Sequence, residues 1–530
     1  MKNKIFKKVG LLAFVAIILS ACTKDLDQKP LNDLTADVAY KDLAGYKQVL
    51  AKVYGSFALT GNTGSGSSDL GGIDPGFSDF LRLYWNLQEL TSDEAACVWN
   101  DPGIPELNSQ TWTSENLLNR GLYTRSIFQI TVANEFLRES TDEKLAKRGI
   151  TGNDVAEIKK FRAECRFLRA YQYWVLMDMY GNPAYITEAD EPGKFFPKQI
   201  QRAELFKYVE AELLAMDADL AAPNTNEYGR ADKAAAWALL ARLYLNAEVY
   251  LGTGNAKYTE AITYANKVLG SSYTLKPDYK NLFLADNNVN NPEIILSINY
   301  DGIRSQNYGG VTFIINSSTN PSAISNASLG IPRGGWVGNR MKQNIPLLFN
   351  DRSGATDKRA MFYGDKLLLN DISVFTDGLA TSKFKNVTST GSDGGSNDGT
   401  LVSTDFPLIR LAEMNLTYAE AVLRGGSGGN QGQALTYFNA LRTRAYGNTN
   451  GNVTNITLQD ILDEYGREFY WEARRRTDLI RFDKYTSDTY VWPFKGGVKA
   501  GKGTETFRKL FPIPSADIVS NPNLKQNPGY

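Results

Sequence analysis

Apolar residues recur at steps of three and four along much of the chain, which is the spacing that predicts amphipathic α-helices. A first helix is predicted from about Asp37 to Phe57. A second apolar stripe runs over residues 158–168 and stops before a Gly-Asn-Pro turn at 181–183. Cys165 lies within that stripe, so we expect it to be a core thiol.

The helical stripes come in pairs joined by turns, with alanines at positions where two backbones must approach closely. This is the spacing of stacked tetratricopeptide-like helix pairs. We therefore predict a mainly α fold, a tetratricopeptide-like scaffold of helical pairs with large irregular, partly β insertions. The predicted pairs are residues 157–180 with 201–220, 234–244 with 258–269, and 411–421 with 434–445.

The pairs are unevenly spaced, so they fall into two blocks, at about 154–270 and 408–484, within one domain over 37–530. Between and before these blocks lie two large insertions, at about 59–113 and 272–407. Residues 293–299 and 311–315 in the second insertion are rich in β-branched and apolar side chains, which predicts short strands.

A helix is predicted from Leu458 to about Lys484, and it carries an unusual density of charge. Acidic and basic side chains lie three or four residues apart between Glu464 and Arg481, a spacing that permits ion pairs along one face. We interpret it as a salt-bridged helix that packs through its apolar positions, with an anion site as the alternative.

The N-terminus has the pattern of a bacterial lipoprotein signal. Four lysines precede an apolar core that is too short to span a bilayer, and Ser20 and Ala21 stand directly before Cys22. We predict that residues 1–21 are a signal peptide, that Cys22 is lipidated, and that residues 22–36 tether the domain to a membrane. More than one acyl chain on Cys22 gives stable anchoring.

Charge and composition exclude several classes of function. Without residues 1–21 the chain has 54 basic and 58 acidic residues, so no basic footprint for nucleic acid is expected. The absence of histidine excludes catalysis that depends on imidazole, and we predict no metal or cofactor site. The absence of histidine does not exclude a glycosidase that uses two carboxylates, because such a pair needs no fixed spacing in the sequence.

Two smaller questions stay open at the level of sequence. Cys97 and Cys165 are the only cysteines besides Cys22, and they have the option of pairing in an oxidising compartment. Asp286, Asn288 and Asn290 alternate like calcium ligands, but the glycine and the final carboxylate of an EF-hand loop are missing. An Asx-rich turn is the alternative to a structural calcium.

Several motifs occur in the order that is typical of one family. With the lipoprotein signal they make the chain resemble the SusD/RagB family from end to end. They are DLDQKP at 25–30, ELTSDE at 89–94, GRADKAA at 229–235, EFYWEARRRTDLIRF at 468–482, FPIP at 511–514 and NPGY at 527–530.

The resemblance implies a lipid-anchored, surface-exposed protein of the outer membrane whose insertions bind glycan. It implies no catalysis, and it implies a partner, a SusC-type TonB-dependent transporter over which the lipoprotein sits as a lid. Within the family, the starch-binding founding member is the expected nearest likeness, which implies an α-glucan ligand. A β-glucan or another polysaccharide is the alternative ligand, and the rivals from other classes are a surface glycoside hydrolase and a purely structural assembly protein.

The resemblance also implies which residues contact glycan. The founding member's arc of aromatic residues corresponds to Trp336, Tyr308 and Trp99, and its polar groups correspond to Arg82 and Asn100. With a one-residue gap, Asp101 takes the place of Asn100. A second tryptophan of the arc appears here as Cys97, so we expect part of the arc to be shorter. Trp336 and Tyr308 both lie among glycines, which favours exposure of their rings.

Overall fold

A computed structural model describes residues 35–190, 193 and 195–530 of the chain. Cys22, the predicted signal peptide and nearly all of the predicted tether lie outside the described residues. Among the described helices, none is long and apolar enough to cross a membrane.

The described part of the chain is mainly helical, as predicted. Several of the helices begin at an aspartate or asparagine N-cap. The side chain of the cap accepts a backbone N–H three residues on, as Asp232 accepts the Ala235 N–H at 3.0 Å. The α-helices in the described residues, α1 to α17 in chain order, are Ala36–Ala39, Leu43–Ala58, Phe80–Trp85, Ile104–Ser109, Leu117–Glu139, Asp142–Lys147, Asn153–Tyr180, Arg202–Ala215, Lys233–Leu245, Ala247–Leu251, Tyr258–Leu269, Gly310–Ser317, Leu411–Leu423, Gln431–Tyr446, Leu458–Phe469, Arg475–Arg481 and Ser515–Ser520.

The long helices pack on one another in succession. Helix α5 packs on α7, α7 on α8, α9 on α11, α11 on α13, and α13 on α14. Ala234, Ala241 and Ala265 are completely buried at these contacts, where a larger side chain would hold the helices apart. The predicted helix pairs are confirmed.

Short antiparallel strand pairs organise the insertions. The strands β1 to β8 are Ala95–Cys97, Ala184–Tyr185, Lys198–Gln199, Ile294–Ile298, Asn339–Met341, Phe362–Tyr363, Ala380–Thr381 and Phe406–Arg410. Strand β4 pairs with β8 and β1 pairs with β5, in the latter case with Cys97 opposite Asn339. The β4 and β8 ladder joins the second insertion to the second block of helices, and it confirms the strand predicted at 293–299.

The strand predicted at 311–315 is wrong, because this segment is helix α12. All eight residues of α12 are buried, and a short apolar run that is buried on every side has no period that separates strand from helix. The Asn316 side chain also donates to the Thr312 carbonyl at 2.8 Å within the helix.

Two predicted helices are broken. The segment at 37–57 divides into α1 and α2, because Asp42 caps a new helix by accepting the Gly45 N–H at 2.9 Å. The segment at 458–484 divides into α15 and α16, and Trp471 and Ala473 between them have φ angles of 67° and 56°. The Glu94 carboxylate compensates for this strain by accepting the Trp471 N–H at 2.9 Å.

Glu464 and Glu468 of α15 are buried rather than arrayed on a solvated face, and most of their partners lie on other elements. Glu468 is completely buried and accepts from Arg359 at 3.1 Å, from Arg410 at 2.6 Å, and from Arg444. Arg410, on β8, also pairs with Glu293 at 3.0 Å and with Glu472 at 2.8 Å. The salt-bridge interpretation is confirmed, although the ion pairs join separate parts of the fold.

The structure also shows the surroundings of the two cysteines and of Asp286. Cys97 and Cys165 are both buried free thiols, and burial raises the pKa of each to about 12. The Asp286 carboxylate accepts hydrogen bonds from the Ser389 N–H at 2.9 Å and from the Ser389 hydroxyl at 2.5 Å. It therefore holds the loop at Ser389 in place. Among the described residues, no group of three or more acidic or cysteine side chains is arranged to hold a metal.

Replacing Glu468 by glutamine should strongly destabilise the protein, because three arginines would lose a buried counter-charge. Removing one partner of a buried ion pair costs about 3–5 kcal/mol. The free energy of unfolding should fall by that amount in chemical denaturation. Glu143→Gln, at an exposed helix position, is the matched control and should change stability by less than about 0.5 kcal/mol. Equal stabilities of the two variants would contradict this account.

The effect of Glu468→Gln should also depend on pH. Burial by itself raises the pKa of Glu468, but the attraction of Arg444, Arg410 and Arg359 outweighs burial and holds the pKa well below its usual range. Such a carboxylate stabilises the fold above its unfolded pKa, about 4.3, and this stabilisation is lost as the pH falls towards the folded pKa. The stability difference between wild type and variant should therefore shrink below about pH 4, by up to ~1.4 kcal/mol per pH unit. A difference that stays constant down to about pH 3 would exclude this mechanism.

Candidate functional site

Irregular segments from both insertions bring Tyr308, Trp336 and Trp99 close together, with Arg82 beneath them. The Tyr308 and Trp336 rings lie side by side, with centroids 6.3 Å apart and planes tilted by 58°. Tyr308 is 38 % exposed and Trp336 is half-buried. The two rings therefore form an angled aromatic surface, which we call the aromatic platform.

Asp79 holds the Tyr308 loop in place. Its carboxylate accepts from the Asn307 side chain at 2.6 Å and from the Gly310 N–H at 2.8 Å. A Cβ atom on Gly309 would lie 2.1 Å from the Asp79 Cβ, so only glycine allows this approach. Asp79 also caps α3 by accepting the Arg82 N–H at 2.8 Å, so one buried carboxylate positions both Tyr308 and Arg82.

Asn316 holds the Trp336 loop in a comparable way. Its side-chain oxygen accepts the Gly335 N–H at 2.8 Å, and its backbone carbonyl accepts the N–H groups of Trp336 at 2.8 Å and Val337 at 3.1 Å. Its amide nitrogen donates to the Thr400 carbonyl at 3.0 Å. Because Asn316 ends a buried helix, the Trp336 backbone is fixed although the loop is irregular.

Trp99 reaches the same surface through the pairing of β1 with β5. The Val98 N–H donates to the Gly338 carbonyl at 3.0 Å, which continues the ladder by one bond. Gly338 has a φ angle of 128°, and an added Cβ would lie 2.3 Å from the Trp99 indole nitrogen. The Trp99 indole is thus packed against the backbone of Gly338, two residues beyond Trp336.

Arg82 lies beneath the surface rather than on it. Its side chain is 5 % exposed, and its guanidinium carbon lies 3.7 Å from the Phe77 ring centroid, 4.5 Å from that of Phe313 and 5.8 Å from that of Trp99. Nη1 donates to the Gly76 carbonyl at 3.0 Å, and the buried Nε has no partner among the described residues. Burial lowers the pKa of Arg82 to about 10, so the group stays charged at neutral pH with donor capacity to spare.

Asn100 is exposed and directly follows Trp99, so its amide is accessible to a ligand. Asp101 is half-buried, and its charge acts on Arg82. Both positions lie close to the other site residues, so the choice between Asn100 and Asp101 remains a prediction.

Cys97 does not take part in the aromatic platform. It is 2 % exposed on β1, and its backbone exchanges two hydrogen bonds with the Asn108 side chain, at 3.0 and 2.7 Å. The position contributes no ring to the surface, which agrees with the expectation of a shorter arc.

Three contributors to the site were missed at the level of sequence. Phe77 packs against Arg82, while Asp79 and Asn316 fasten the loops. Asp79 stands before an apolar run, which is the signal of a helix N-cap, but that signal does not predict its contact with a loop 230 residues away. Nothing local in the sequence marks Asn316.

Comparison with known proteins identifies the family of this chain. Two family descriptions match the chain, "SusD family" over residues 366–530 and "Starch-binding associating with outer membrane" over residues 86–245. The starch-binding protein SusD of Bacteroides thetaiotaomicron is 36 % identical, and the alignment covers 100 % of both chains. The chain belongs to the SusD family.

Solved structures of SusD-family proteins share the fold. A SusD homologue from B. thetaiotaomicron has a TM-score of 0.72 at 19 % identity, covering 94 % of this chain and 99 % of its own. Surface glycan-binding protein A from the same organism, in complex with laminarihexaose, has a TM-score of 0.69 at 19 % identity, covering 91 % and 99 %.

Membership of the SusD family fixes the broad function. The protein is a glycan-binding protein and not an enzyme, and its family associates with the outer membrane. The glycoside hydrolase hypothesis is therefore set aside, and the exposed rings and spare donors of the aromatic platform are features of binding rather than of catalysis.

Replacing Gly338 by alanine should displace Trp99, because the new methyl group would overlap the indole. We expect a loss of about 1–3 kcal/mol in unfolding free energy and a changed tryptophan emission spectrum. Gly391→Ala is the matched control, since Gly391 has a φ angle of 84° but nothing within 4 Å of an added Cβ. It should show backbone strain alone, with unchanged emission. Wild-type emission from Gly338→Ala would refute the packing of Trp99 on this glycine.

Proposed function

We propose that this SusD-family protein captures starch-like α-glucan at the cell surface and delivers it to a TonB-dependent transporter. The observation that supports the ligand is the aromatic platform, in which the exposed ring of Tyr308 and the half-buried ring of Trp336 meet at 58°. Asn100, next to Trp99, is an exposed hydrogen-bonding group, and Arg82 beneath the rings keeps a donor that no protein group uses.

Sugar rings suit this surface for a physical reason. One face of a pyranose consists largely of C–H groups, which pack well on the electron-rich face of an aromatic ring, while its hydroxyls point outwards to polar partners. Two rings set at an angle contact successive sugars of a curved chain more completely than those of a straight one. A helical α-glucan is curved, whereas a cellulose-like chain is straight.

The similarity to starch-binding SusD supports the same ligand, since it extends over the whole chain at 36 % identity. The lipid anchor at Cys22 and the transporter partner are parts of the proposal that rest on the N-terminal pattern and on the family. A glycan bound on a surface-anchored protein needs a route through the outer membrane, and a SusC-type transporter supplies one.

A β-glucan or another polysaccharide is the competing ligand. Stacking on aromatic rings does not by itself encode the linkage between sugars, and a fold relative was solved with laminarihexaose. The curvature of the aromatic platform is what favours α-glucan, so ligand choice has to be measured together with the site.

Replacing Trp336 by alanine should weaken maltooligosaccharide binding at least tenfold, which is about 1.4 kcal/mol, because aromatic anchors carry most of the energy of such contacts. The melting temperature should change little, since the half-buried ring lies at the surface. Calorimetry with maltoheptaose, cellohexaose and laminarihexaose measures both affinity and ligand choice. Phe196→Ala, which removes an aromatic ring that is 59 % exposed elsewhere, is the control and should bind as wild type.

Three results would count against the proposal. Unchanged affinity of Trp336→Ala would remove the platform as the site. Stronger binding of laminarihexaose than of maltoheptaose by the wild type would replace α-glucan with β-glucan as the ligand. A collapsed melting temperature would show that Trp336 is a structural residue.

A further inference from the structure

A cleft of about 260 Å³ lies between helix α2, the turn at residues 227–230 and strand β4. Its floor is apolar, formed by Leu296 and Ile298 of β4. Ala51 and Tyr54 of α2 line one wall, and Tyr228 lines the other. We call it the Tyr228 cleft.

The Tyr228 ring is held rigidly at the surface. It is 36 % exposed, while its hydroxyl interacts with the side chains of Ser297 and Asp405 below. The next residue, Gly229, has a φ angle of 79°, and an added Cβ would lie 2.3 Å from the Asn299 amide nitrogen. A fixed ring loses little conformational entropy when a ligand packs on it.

The opposite wall is equally fixed. The Tyr54 hydroxyl donates to the Glu164 carboxylate at 2.7 Å and accepts the Ala231 N–H at 2.8 Å. Arg230 makes a two-point ion pair with the same carboxylate, at 3.0 and 2.6 Å. Because the Tyr54 hydroxyl is already bonded and the Tyr228 hydroxyl lies against Ser297 and Asp405, what each tyrosine presents to the cleft is ring surface.

Polar groups surround this apolar slot. Lys47 and Glu227 form an exposed ion pair of 2.6 Å between α2 and the turn. A second cleft of about 420 Å³ shares Tyr228 as a lining residue, and exposed asparagine side chains, including Asn224 and Asn288, line it. Amides both donate and accept, as sugar hydroxyls do.

The Tyr228 cleft adjoins the loop that carries the aromatic platform. Phe57 and Ala58, at the end of α2, line the cleft. The Ala58 carbonyl accepts from the Asn307 side chain at 2.9 Å, and Asn307 directly precedes Tyr308. The end of α2 is therefore shared between the wall of the cleft and the support of the Tyr308 loop.

We propose that the Tyr228 cleft is a second oligosaccharide subsite, which binds a further stretch of the glycan that occupies the aromatic platform. This inference rests on the proposed function for its ligand class. A pyranose matches the cleft because it combines apolar faces with hydroxyl edges, as the cleft combines ring walls with a rim of amides and charges. A purely apolar ligand would leave that rim without partners.

The subsite predicts an effect of chain length. Once a long glucan is held at the platform, its second contact is intramolecular and adds affinity through effective concentration. A long maltodextrin should therefore bind Tyr228→Ala at least fivefold more weakly than wild type. Tyr228→Phe, which keeps the ring, should retain most of the wild-type affinity.

Calorimetry on the mature chain with a long maltodextrin tests this, and Ala51→Arg provides an independent route. Ala51 is exposed on α2, so arginine fills the cleft without removing a native contact, and it is a good helix former. Trp336→Ala should keep weak binding, and adding either Tyr228→Ala or Ala51→Arg should abolish it. Phe196→Ala should have no effect in either background.

Two different failures are distinguishable. Wild-type affinity of both Tyr228→Ala and Ala51→Arg for the long maltodextrin would overturn the subsite and leave the aromatic platform intact. A wild type that binds no maltodextrin of any length would overturn the proposed function, and the subsite with it. If Tyr228→Ala alone has a lowered melting temperature, Ala51→Arg decides the outcome.

Discussion

The buried ion pairs around Glu468 are the constraint on which the rest of the structure depends. Glu468 lies on α15, and its three arginines come from the second insertion, from strand β8 and from helix α14. Arg410 extends the network to Glu293 at the start of β4. Because each buried charge is compensated only when all these elements are in place, the network fixes how the second insertion sits on the helices.

That fixed junction allows irregular loops to carry a defined binding surface. The platform residues lie in segments with little regular hydrogen bonding of their own, so their positions depend on side chains that reach out from ordered elements. Asp79 at the start of α3 and Asn316 at the end of α12 do this for Tyr308 and Trp336. Binding through rings that are already positioned avoids the entropy of ordering them when the ligand arrives.

The helical scaffold could be predicted from the sequence because its signal is local. Alanines and aromatic residues at three- and four-residue steps specify a helix face wherever they occur. Segment 311–315 was wrongly predicted because complete burial removes that periodicity. The break at 470–474 is held by a contact between Trp471 and Glu94, nearly 380 residues apart, and no local pattern records it.

The candidate site, like the helical scaffold, could be predicted only in part from the sequence. Glycines around Tyr308 and Trp336 indicated exposed rings, and family resemblance supplied the grouping with Trp99 and Arg82. The burial of Arg82 between Phe77 and Phe313 was not predictable, because it depends on how two insertions pack together. The Tyr228 cleft was not predictable either, because its walls come from helix α2, the 227–230 turn and β4, which are far apart in the sequence.

The central claim is that glycan binds across the angled rings of Tyr308 and Trp336, and a crystal structure of the mature protein with a maltooligosaccharide tests it most directly. The account predicts successive glucose rings packed on Tyr308 and Trp336, with hydroxyls directed towards Arg82 and Asn100. A well-ordered oligosaccharide bound elsewhere on the molecule, with both rings left in contact with solvent, would contradict it.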